Sequence, residues 1–205
     1  APTEIIQVDR PIGGGTEMRI RGADVSPNGL EINYRTYTGG LPDAWAATNE
    51  VNDFAWVDGD FVGDTVDARQ RQFAGDEYSQ LSDIYQDVVE YDNTAVGPAT
   101  SVTATNIGGN TGQLTFDVPD DLQVSYVEIY KATGTQSDPL SVLLTYSSLD
   151  SVDVRPLDEY SNTTSIPAPD LSNTQYVHFK ITHFTSNATP NTTQYVAIEI
   201  GPVGP

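Results

Sequence analysis

Residues 113–119 read Gln113-Leu114-Thr115-Phe116-Asp117-Val118-Pro119, so that apolar and polar side chains alternate along the stretch. Alternation with a period of two predicts a β-strand with one buried face. Further segments of this kind follow in the second half of the chain, separated by turn-forming clusters. The seven candidates are residues 101–107, 113–118, 125–132, 142–146, 152–154, 176–184 and 194–200. Seven short strands over about 105 residues predict a β-sandwich.

Four motifs in this half resemble a fibronectin type III domain. Residues 98–104 are similar to the first strand of that family, residues 113–119 to its second and residues 126–132 to its third. Phe116 stands where the family usually has Trp. The resemblance implies a seven-stranded sandwich of two sheets, and a related immunoglobulin-like sandwich is the alternative.

The fourth motif departs from the family pattern. Residues 168–176 are similar to the corner that precedes the sixth strand, but the spacing from Leu171 to Tyr176 is one residue shorter than usual. This spacing puts Val177 in phase with Phe179 and Ile181 on one face of the strand. We therefore expect Tyr176 not to make the usual corner hydrogen bond.

The first half predicts a smaller β-rich region. Residues 18–21 and 30–37 alternate around a turn at residues 26–29, which predicts a β-hairpin. Short strand-like pieces follow at residues 54–57 and 61–62.

One helix is predicted between Asp76 and Tyr91, with Asp76 as its N-cap. Apolar side chains recur there with helical spacing, at Leu81, Ile84, Tyr85, Val88 and Val89. The sequence thus predicts a mainly β chain in three parts. These are a small β-rich region with one helix (1–92), a linker (93–98) and a fibronectin type III-like β-sandwich (99–205).

Charge composition points to concentrated salt. The chain has 205 residues, a net charge of -20 and a pI of about 4.1. Asp outnumbers Glu by 20 to 9, and Arg outnumbers Lys by 7 to 2. Uniform negative charge opposes compaction, and screening by salt removes most of that cost. Such a surface also repels the phosphate backbone, so nucleic acid is not an expected partner.

The acids are unevenly distributed. Residues 43–92 hold thirteen acids and two Arg, whereas residues 1–42 hold five acids and four Arg. A near-neutral stretch in such a chain predicts either a subunit contact or a buried hairpin, and Arg is enriched at interfaces. The candidate assembly residues are Arg10, Arg19, Arg21 and Arg35.

The densest carboxylate cluster is a candidate cation site. Asp58, Asp60 and Asp64 lie in a Gly-containing loop, and clustered oxygen ligands suit Ca²⁺ or Mg²⁺. A diffuse layer of hydrated cations is the alternative. His178 and His183 are five residues apart on one predicted strand, so we expect them on opposite faces and not on a shared metal. No other cofactor is indicated.

Aromatic side chains of the first half are candidates for either core or a binding face. They are Trp45, Trp56, Tyr34, Tyr37, Tyr78 and Tyr85.

Taken together, the chain resembles a non-enzymatic structural protein of a haloarchaeal tailed virus. That resemblance implies a location in the virion after synthesis in the host cytoplasm, because the N-terminus lacks a standard export signal. The N-terminal region would anchor the protein, and the sandwich would project as a capsid turret, decoration or tail module. The expected partners are other virion proteins and further copies of the chain in a homo-oligomer. No apolar run reaches the ~18 residues of a membrane span.

Two other classes of protein remain open. A haloarchaeal cell-surface or adhesion module would use the sequons at Asn162, Asn187 and Asn191. An enzyme with an accessory sandwich would need a pocket with paired acids.

Overall fold

The computed structural model describes residues 1–23, 29–51, 53–74, 77–170, 172–188 and 190–202, without the side chains of Val51 and Asn191. All regular elements in these ranges are β-strands. The chain divides into two compact units, residues 1–93 and 94–205. The described part contains no helix with the length and apolarity that a membrane crossing requires.

The strands of the first unit form two main sheets. Their bounds are Glu4–Asp9 (β1), Thr16–Arg21 (β2), Leu30–Arg35 (β3), Tyr37–Thr38 (β4), Leu41–Pro42 (β5), Ala46–Ala47 (β6), Asn49–Val51 (β7), Phe54–Asp58 (β8), Thr65–Ala74 (β9), Glu77–Tyr78 (β10), Tyr85–Val88 (β11) and Glu90–Tyr91 (β12). One sheet has the order β12-β1-β2-β8-β7. The other has the order β10-β9-β3-β6, with β11 also paired to β9, while β4 and β5 form a separate hairpin.

The two sheets enclose an apolar core. One sheet contributes Ile5, Met18, Ile20 and Ala55, and the other contributes Leu30, Ile32, Val66 and Ala68. The N-terminal region is therefore a sandwich in its own right.

The predicted helix over residues 76–91 is wrong. Strand β11 pairs antiparallel with β9, and β12 pairs parallel with β1. Leu81, Ile84 and Val88 would share the buried face of a helix, yet all three are exposed. Only Val89 is fully buried. Asp76, the expected cap, lies outside the described residues.

Two physical reasons favour strands in this segment. A helix would bring the like charges of Asp83 and Asp87 together at i,i+4, and those of Asp87 and Glu90 at i,i+3. As a strand, the same segment supplies backbone partners to an edge of each sheet, which a helix cannot do.

The predicted hairpin between residues 18–21 and 30–37 is also wrong in its pairing. Strand β2 pairs with β1 and β8, whereas β3 pairs with β9 and β6 in the other sheet. The turn predicted at residues 26–29 lies, apart from Gly29, outside the described residues. Residues 61–62, expected as a strand, are irregular.

The second unit contains seven strands in its described part. Their bounds are Thr100–Gly108 (β13), Thr111–Asp117 (β14), Tyr126–Gly134 (β15), Ser147–Asp153 (β16), Glu159–Ser165 (β17), Gln175–Phe184 (β18) and Pro190–Ile200 (β19). One sheet has the order β13-β14-β17, and the other has the order β16-β15-β18-β19. This two-sheet arrangement confirms the predicted fibronectin type III-like sandwich.

Core positions of the second unit follow the predicted alternation. Leu114 and Phe116 of β14 pack against Val177, Phe179 and Ile181 of β18 in one cluster of buried side chains. The phase predicted for Val177 is thus confirmed, although Leu171 lies outside the described residues. Phe116 also stacks on Tyr160 with ring centroids 4.7 Å apart.

Both units share one pairing scheme. In the first unit, β2 lies between β1 and β8, and β9 lies between β3 and β11. In the second unit, β14 lies between β13 and β17, and β18 lies between β15 and β19. Each sandwich is therefore closed by non-local pairing between strands of its early and late parts.

Candidate interaction face

Alternation along β3 and β9 creates an outward face on the first unit. Leu30 and Ile32 of β3 point into the core, so Glu31, Asn33 and Arg35 point away from it. The same reasoning turns the odd-numbered residues of β9 outward. The resulting cross-strand pairs are Glu31 with Arg71, Asn33 with Arg69, and Arg35 with Asp67.

Aromatic rings cover the guanidinium groups of this face. The Cζ atoms of Arg35 and Arg69 lie 4.6 Å and 3.9 Å from the ring centroid of Trp45. The Cζ atom of Arg71 lies 4.0 Å from that of Tyr78. Cations at such distances are attracted by the ring quadrupole. We call the group Arg35, Trp45, Arg69, Arg71 and Tyr78 the arginine face.

Two of the three guanidiniums are also paired with carboxylates. Arg35 Nη2 lies 2.7 Å from Asp67 Oδ2, and Arg71 Nη2 lies 2.8 Å from Glu31 Oε2. Arg69 pairs with no carboxylate of the described residues. Its Nε is buried and has no hydrogen-bond partner within the described part of the chain. Arg69 is therefore held by stacking while its charge stays uncompensated.

Asp67 holds Arg35 in place. The Tyr37 hydroxyl donates to Asp67 Oδ2 at 2.8 Å, and Gln86 Nε2 donates to Oδ1 at 2.7 Å. Burial alone would raise the pKa of Asp67, but hydrogen bonds from Tyr37, Arg35 and Gln86 outweigh it and lower that pKa. The hydrogen bond from the Tyr37 hydroxyl to Asp67 raises the pKa of Tyr37. Asp67 is thus a fixed anion at neutral pH.

The four arginines predicted for assembly are all engaged with acids of their own unit. Arg19 is fully buried, and its Nε donates to Glu17 Oε1 at 2.7 Å. Arg10 Nη1 lies 3.6 Å from Glu17 Oε2. Arg21 pairs with Asp53 at 2.9 Å, and Arg35 belongs to the arginine face. An assembly role for these residues stays a prediction.

The predicted cation-binding residues are exposed at one end of the first unit. Asp58 ends β8, and Asp60 Oδ1 accepts a hydrogen bond from Val62 N. Gly59 and Gly63 have φ values of 139° and 84°, which form the turn. Within the described residues, the structure gathers no group of three acidic or imidazole side chains that could hold a metal.

The two histidines lie on opposite faces of β18, as predicted. His183 points into the core, where its ring meets the edge of Phe116 at 6.1 Å. His178 lies on the opposite face of the strand, where it is also fully buried and its Nε2 contacts Gln136 O at 2.7 Å.

Arg69 and Arg71 were not among the interaction residues predicted from the sequence. The signal was the alternation of Val66-Asp67-Ala68-Arg69-Gln70-Arg71, which predicts one strand with two arginines on the same face. Trp45 lies ten residues after the end of β3 and twenty residues before the start of β9. The local sequence therefore does not indicate that its ring lies over Arg69.

Two clefts lie on the described surface, one in each unit. An open groove of about 390 Å³ in the first unit is lined by Ile5, Ile6, Asp87, Val88, Glu90, Tyr91 and Asp92. A cleft of about 250 Å³ in the second unit is lined by Ser101, Thr115, Phe116, Asp117, Glu159, Tyr160 and Ser161. Neither lining includes a basic side chain next to its acids.

Comparisons with known proteins give structural similarity only. No family model matches the chain, and no curated protein matches it. A structure of the FN1–FN3 domains of chicken CNTN1 is 13% identical with a TM-score of 0.37, covering 98% of this chain and 67% of that one. The chicken interferon gamma receptor alpha chain is 12% identical with a TM-score of 0.34, covering 98% of each chain.

A segment of two fibronectin type III domains from chicken tenascin is also 12% identical with a TM-score of 0.34, covering 97% of this chain and 98% of that one. Values this low carry no argument about function. The strand order and the two-sheet core define the second unit as a fibronectin type III-like β-sandwich.

Proposed function

We propose that this chain is a non-enzymatic structural protein of a halophilic archaeal virion. The first unit anchors it, and the second unit projects as a capsid turret, decoration or tail module. One observation carries the proposal, which is the separation of charge between surface and interior. Arg19 is fully buried, and the other eight basic residues are half-buried. Among the described residues, twelve acids are exposed, namely Asp58, Asp60, Asp64, Glu77, Asp83, Asp87, Glu90, Asp120, Asp138, Asp158, Glu159 and Glu199.

This separation supports a role in concentrated salt. Exposed carboxylates attract water and cations, and in dilute solution they repel one another. The Debye length falls to about 3 Å at 1 M salt, which removes most of that repulsion. A protein with this surface suits the exterior of a particle that persists in brine.

The fold supports a role in display or spacing. Each unit of the chain is a β-sandwich with its own core, although such a fold by itself does not specify a function. The arginine face on the first unit has the Trp, Tyr and Arg composition of protein contact surfaces. These features support anchoring through the first unit.

For the cell-surface alternative, the first sequon is unfavourable. Asn162 Nδ2 donates to Asp150 Oδ2 at 3.1 Å and to the Tyr160 hydroxyl at 3.0 Å, so its amide is engaged inside the sandwich. Asn187 of the second sequon is exposed, and its Oδ1 accepts a hydrogen bond from Thr185 Oγ1 at 2.8 Å. Thr189 of that sequon and the Asn191 side chain of the third lie outside the described residues.

Immunogold labelling of particles purified from the source culture tests the proposal. Antibodies against the folded chain should label virions, and quantitative mass spectrometry should find a constant copy number per particle. Labelling of the cell envelope with unlabelled particles would contradict the virion role and favour the adhesion module.

A further inference from the structure

We infer that Arg69, held on Trp45, binds a carboxylate of a second copy of this chain. The inference rests on the proposed assembly role and names the surface that performs it. The arginine face of one copy would contact an acidic surface of the next.

The first step is the state of Arg69. Five other arginines, Arg10, Arg19, Arg21, Arg35 and Arg71, each lie within 3.6 Å of a carboxylate of the same unit. Arg69 has no such partner among the described residues, although the chain contains 29 acids. Its neighbours across the sheet are Asn33 on β3 and, beyond it, Ala47 on β6. The position opposite Arg69 thus offers no negative charge.

The second step is preorganisation. Stacking at 3.9 Å from the Trp45 centroid restricts the guanidinium, and a planar guanidinium can donate two parallel hydrogen bonds to one carboxylate. Arg35 beside it is fixed by Asp67, and Arg71 is fixed by Glu31. A carboxylate that approaches Arg69 therefore meets a rigid donor and loses little side-chain entropy on binding.

The third step identifies the occupant. The face carries three guanidiniums against the two carboxylates that pair with them, so it is locally positive on a chain of net charge -20. Within the described residues, a second copy presents twelve exposed acids, whereas its basic residues are half-buried or buried, so its acidic surface is complementary to the face. Contact between different surfaces of two copies is heterologous, and it builds rings or open arrays.

Concentrated salt is compatible with such a contact. Screening removes long-range attraction between the two surfaces, but a bidentate pair acts at hydrogen-bond distance. The same screening removes the general repulsion between two acidic copies. Salt therefore permits the approach, and Arg69 fixes the contact.

Sedimentation of the full chain over a concentration series tests the inference, in KCl at about 1 M or above. Wild type should self-associate. Arg69→Gln should raise the dissociation constant at least about tenfold, because a charge-assisted bidentate pair is lost. Lys180→Gln is the matched control, since Lys180 is also a stacked cation, with its Nζ 5.0 Å from the Tyr130 centroid on the second unit. This control should associate like wild type.

Arg69→Lys covers the case in which Arg69→Gln fails to fold. It keeps the charge and the aliphatic stem but lacks the two-pronged donor, so it should fold and still weaken association. A wild type that stays monomeric throughout, an Arg69 variant that associates normally, or an equal loss in Lys180→Gln would each overturn the inference. So would a monomer that binds a different protein through this face.

The outcome is separable from that of the proposed function. Self-association is measured on the isolated chain, whereas the virion role is read from purified particles. Labelled virions together with a monomeric chain would overturn only the Arg69 contact.

Discussion

Arg19 and Glu17 form a buried ion pair on β2. The side chains of both residues are 0% exposed, and Arg10 approaches the second oxygen of Glu17 at 3.6 Å. Burying two charges removes their hydration, so a pair of this kind contributes little net stability. Removing Arg19 is different, because Glu17 stays buried and keeps only the more distant, half-buried Arg10 as a counter-charge.

Substitution of this pair should show that asymmetry. Arg19→Met should lower the free energy of unfolding by roughly 3 kcal/mol. The double variant Glu17→Gln/Arg19→Met should lose less, since no buried charge is left. Arg71→Met is the control, because its partly exposed pair with Glu31 is worth at most about 1 kcal/mol. Denaturant unfolding at constant salt measures all three, and equal losses in Arg19→Met and Arg71→Met would refute the role of burial.

His183 gives the second unit a pH-dependent stability. Burial in the core lowers the pKa of His183 from 6.5 to about 4. In the unfolded chain, His183 becomes protonated as the pH falls below 6.5. In the folded chain, it becomes protonated only near pH 4, so protonation favours the unfolded chain between these values. Stability from this residue is therefore complete above pH 6.5 and is lost as the pH falls towards 4. The full effect is about 3 kcal/mol.

His183→Leu should remove this contribution. The difference in unfolding free energy between the variant and wild type should shift in favour of the variant as the pH falls from about 6.5 to about 4. The difference is the quantity to measure, because 29 carboxyl groups titrate in both proteins. Ile129→Val, in the same core, keeps both histidines, so its difference from wild type should stay constant over this pH range. A constant difference between His183→Leu and wild type across this range would show that His183 is not the responsible group.

At the scale of elements, the segment from residue 79 to residue 91 decides how the first unit closes. As two short strands, it pairs with β9 and then with β1, and so links the edges of both sheets. A helix in the same place would leave those edges without backbone partners.

Engineered disulfides can test this pairing cleanly, because the chain has no Cys. Thr65 and Val88 are cross-strand partners in β9 and β11. Thr65→Cys/Val88→Cys should therefore cross-link on mild oxidation, since directly paired Cα atoms lie within disulfide reach. Thr65→Cys/Asp87→Cys is shifted by one residue, which turns one thiol to the opposite face and should prevent the bond. Cross-linking of both pairs, or of neither, would contradict the register.

Strands with strict alternation were predictable from sequence. Residues 113–118, 125–132 and 176–184 all correspond to strands, because their apolar positions meet the core with a period of two. Apolar and polar side chains alternate in β9 as well, but the charged Asp67, Arg69 and Arg71 are also typical of an exposed loop. Its pairing with β3, and hence the arginine face, depends on contacts distant in sequence.

In the second unit, one predicted strand is absent and one observed strand was not predicted, because hydrophobicity was the only guide. Residues 142–146 were predicted as a strand, yet they form an irregular loop in which Val142 is 97% exposed. Strand β17 was missed because Glu159–Ser165 is polar except for Tyr160. It is held by seven register positions along β14, with Tyr160 stacked on Phe116. Hydrophobicity gave the wrong prediction in both segments. Backbone pairing with β14 and the contact of Tyr160 with Phe116 make residues 159–165 a strand.

For the whole molecule, the central feature is the separation of charge. Five arginines pair with neighbouring acids, Arg69 and Lys180 stack on rings, and the surplus of acid faces solvent. The composition predicted the surplus of acid, but it could not predict which basic side chains would pair with acids of the same chain. Only the pairing across strands shows that Arg69 keeps an uncompensated charge on the arginine face.

Salt dependence of folding is the most direct test of this account. The unfolding free energy of the full chain can be measured at pH 7 by circular dichroism and Trp fluorescence, from about 0.1 M to about 3 M KCl. Stability should be low or absent at the dilute end and should rise steeply as the Debye length falls towards about 3 Å near 1 M. A chain that is fully folded in dilute buffer, with the same stability across the series, would contradict the account.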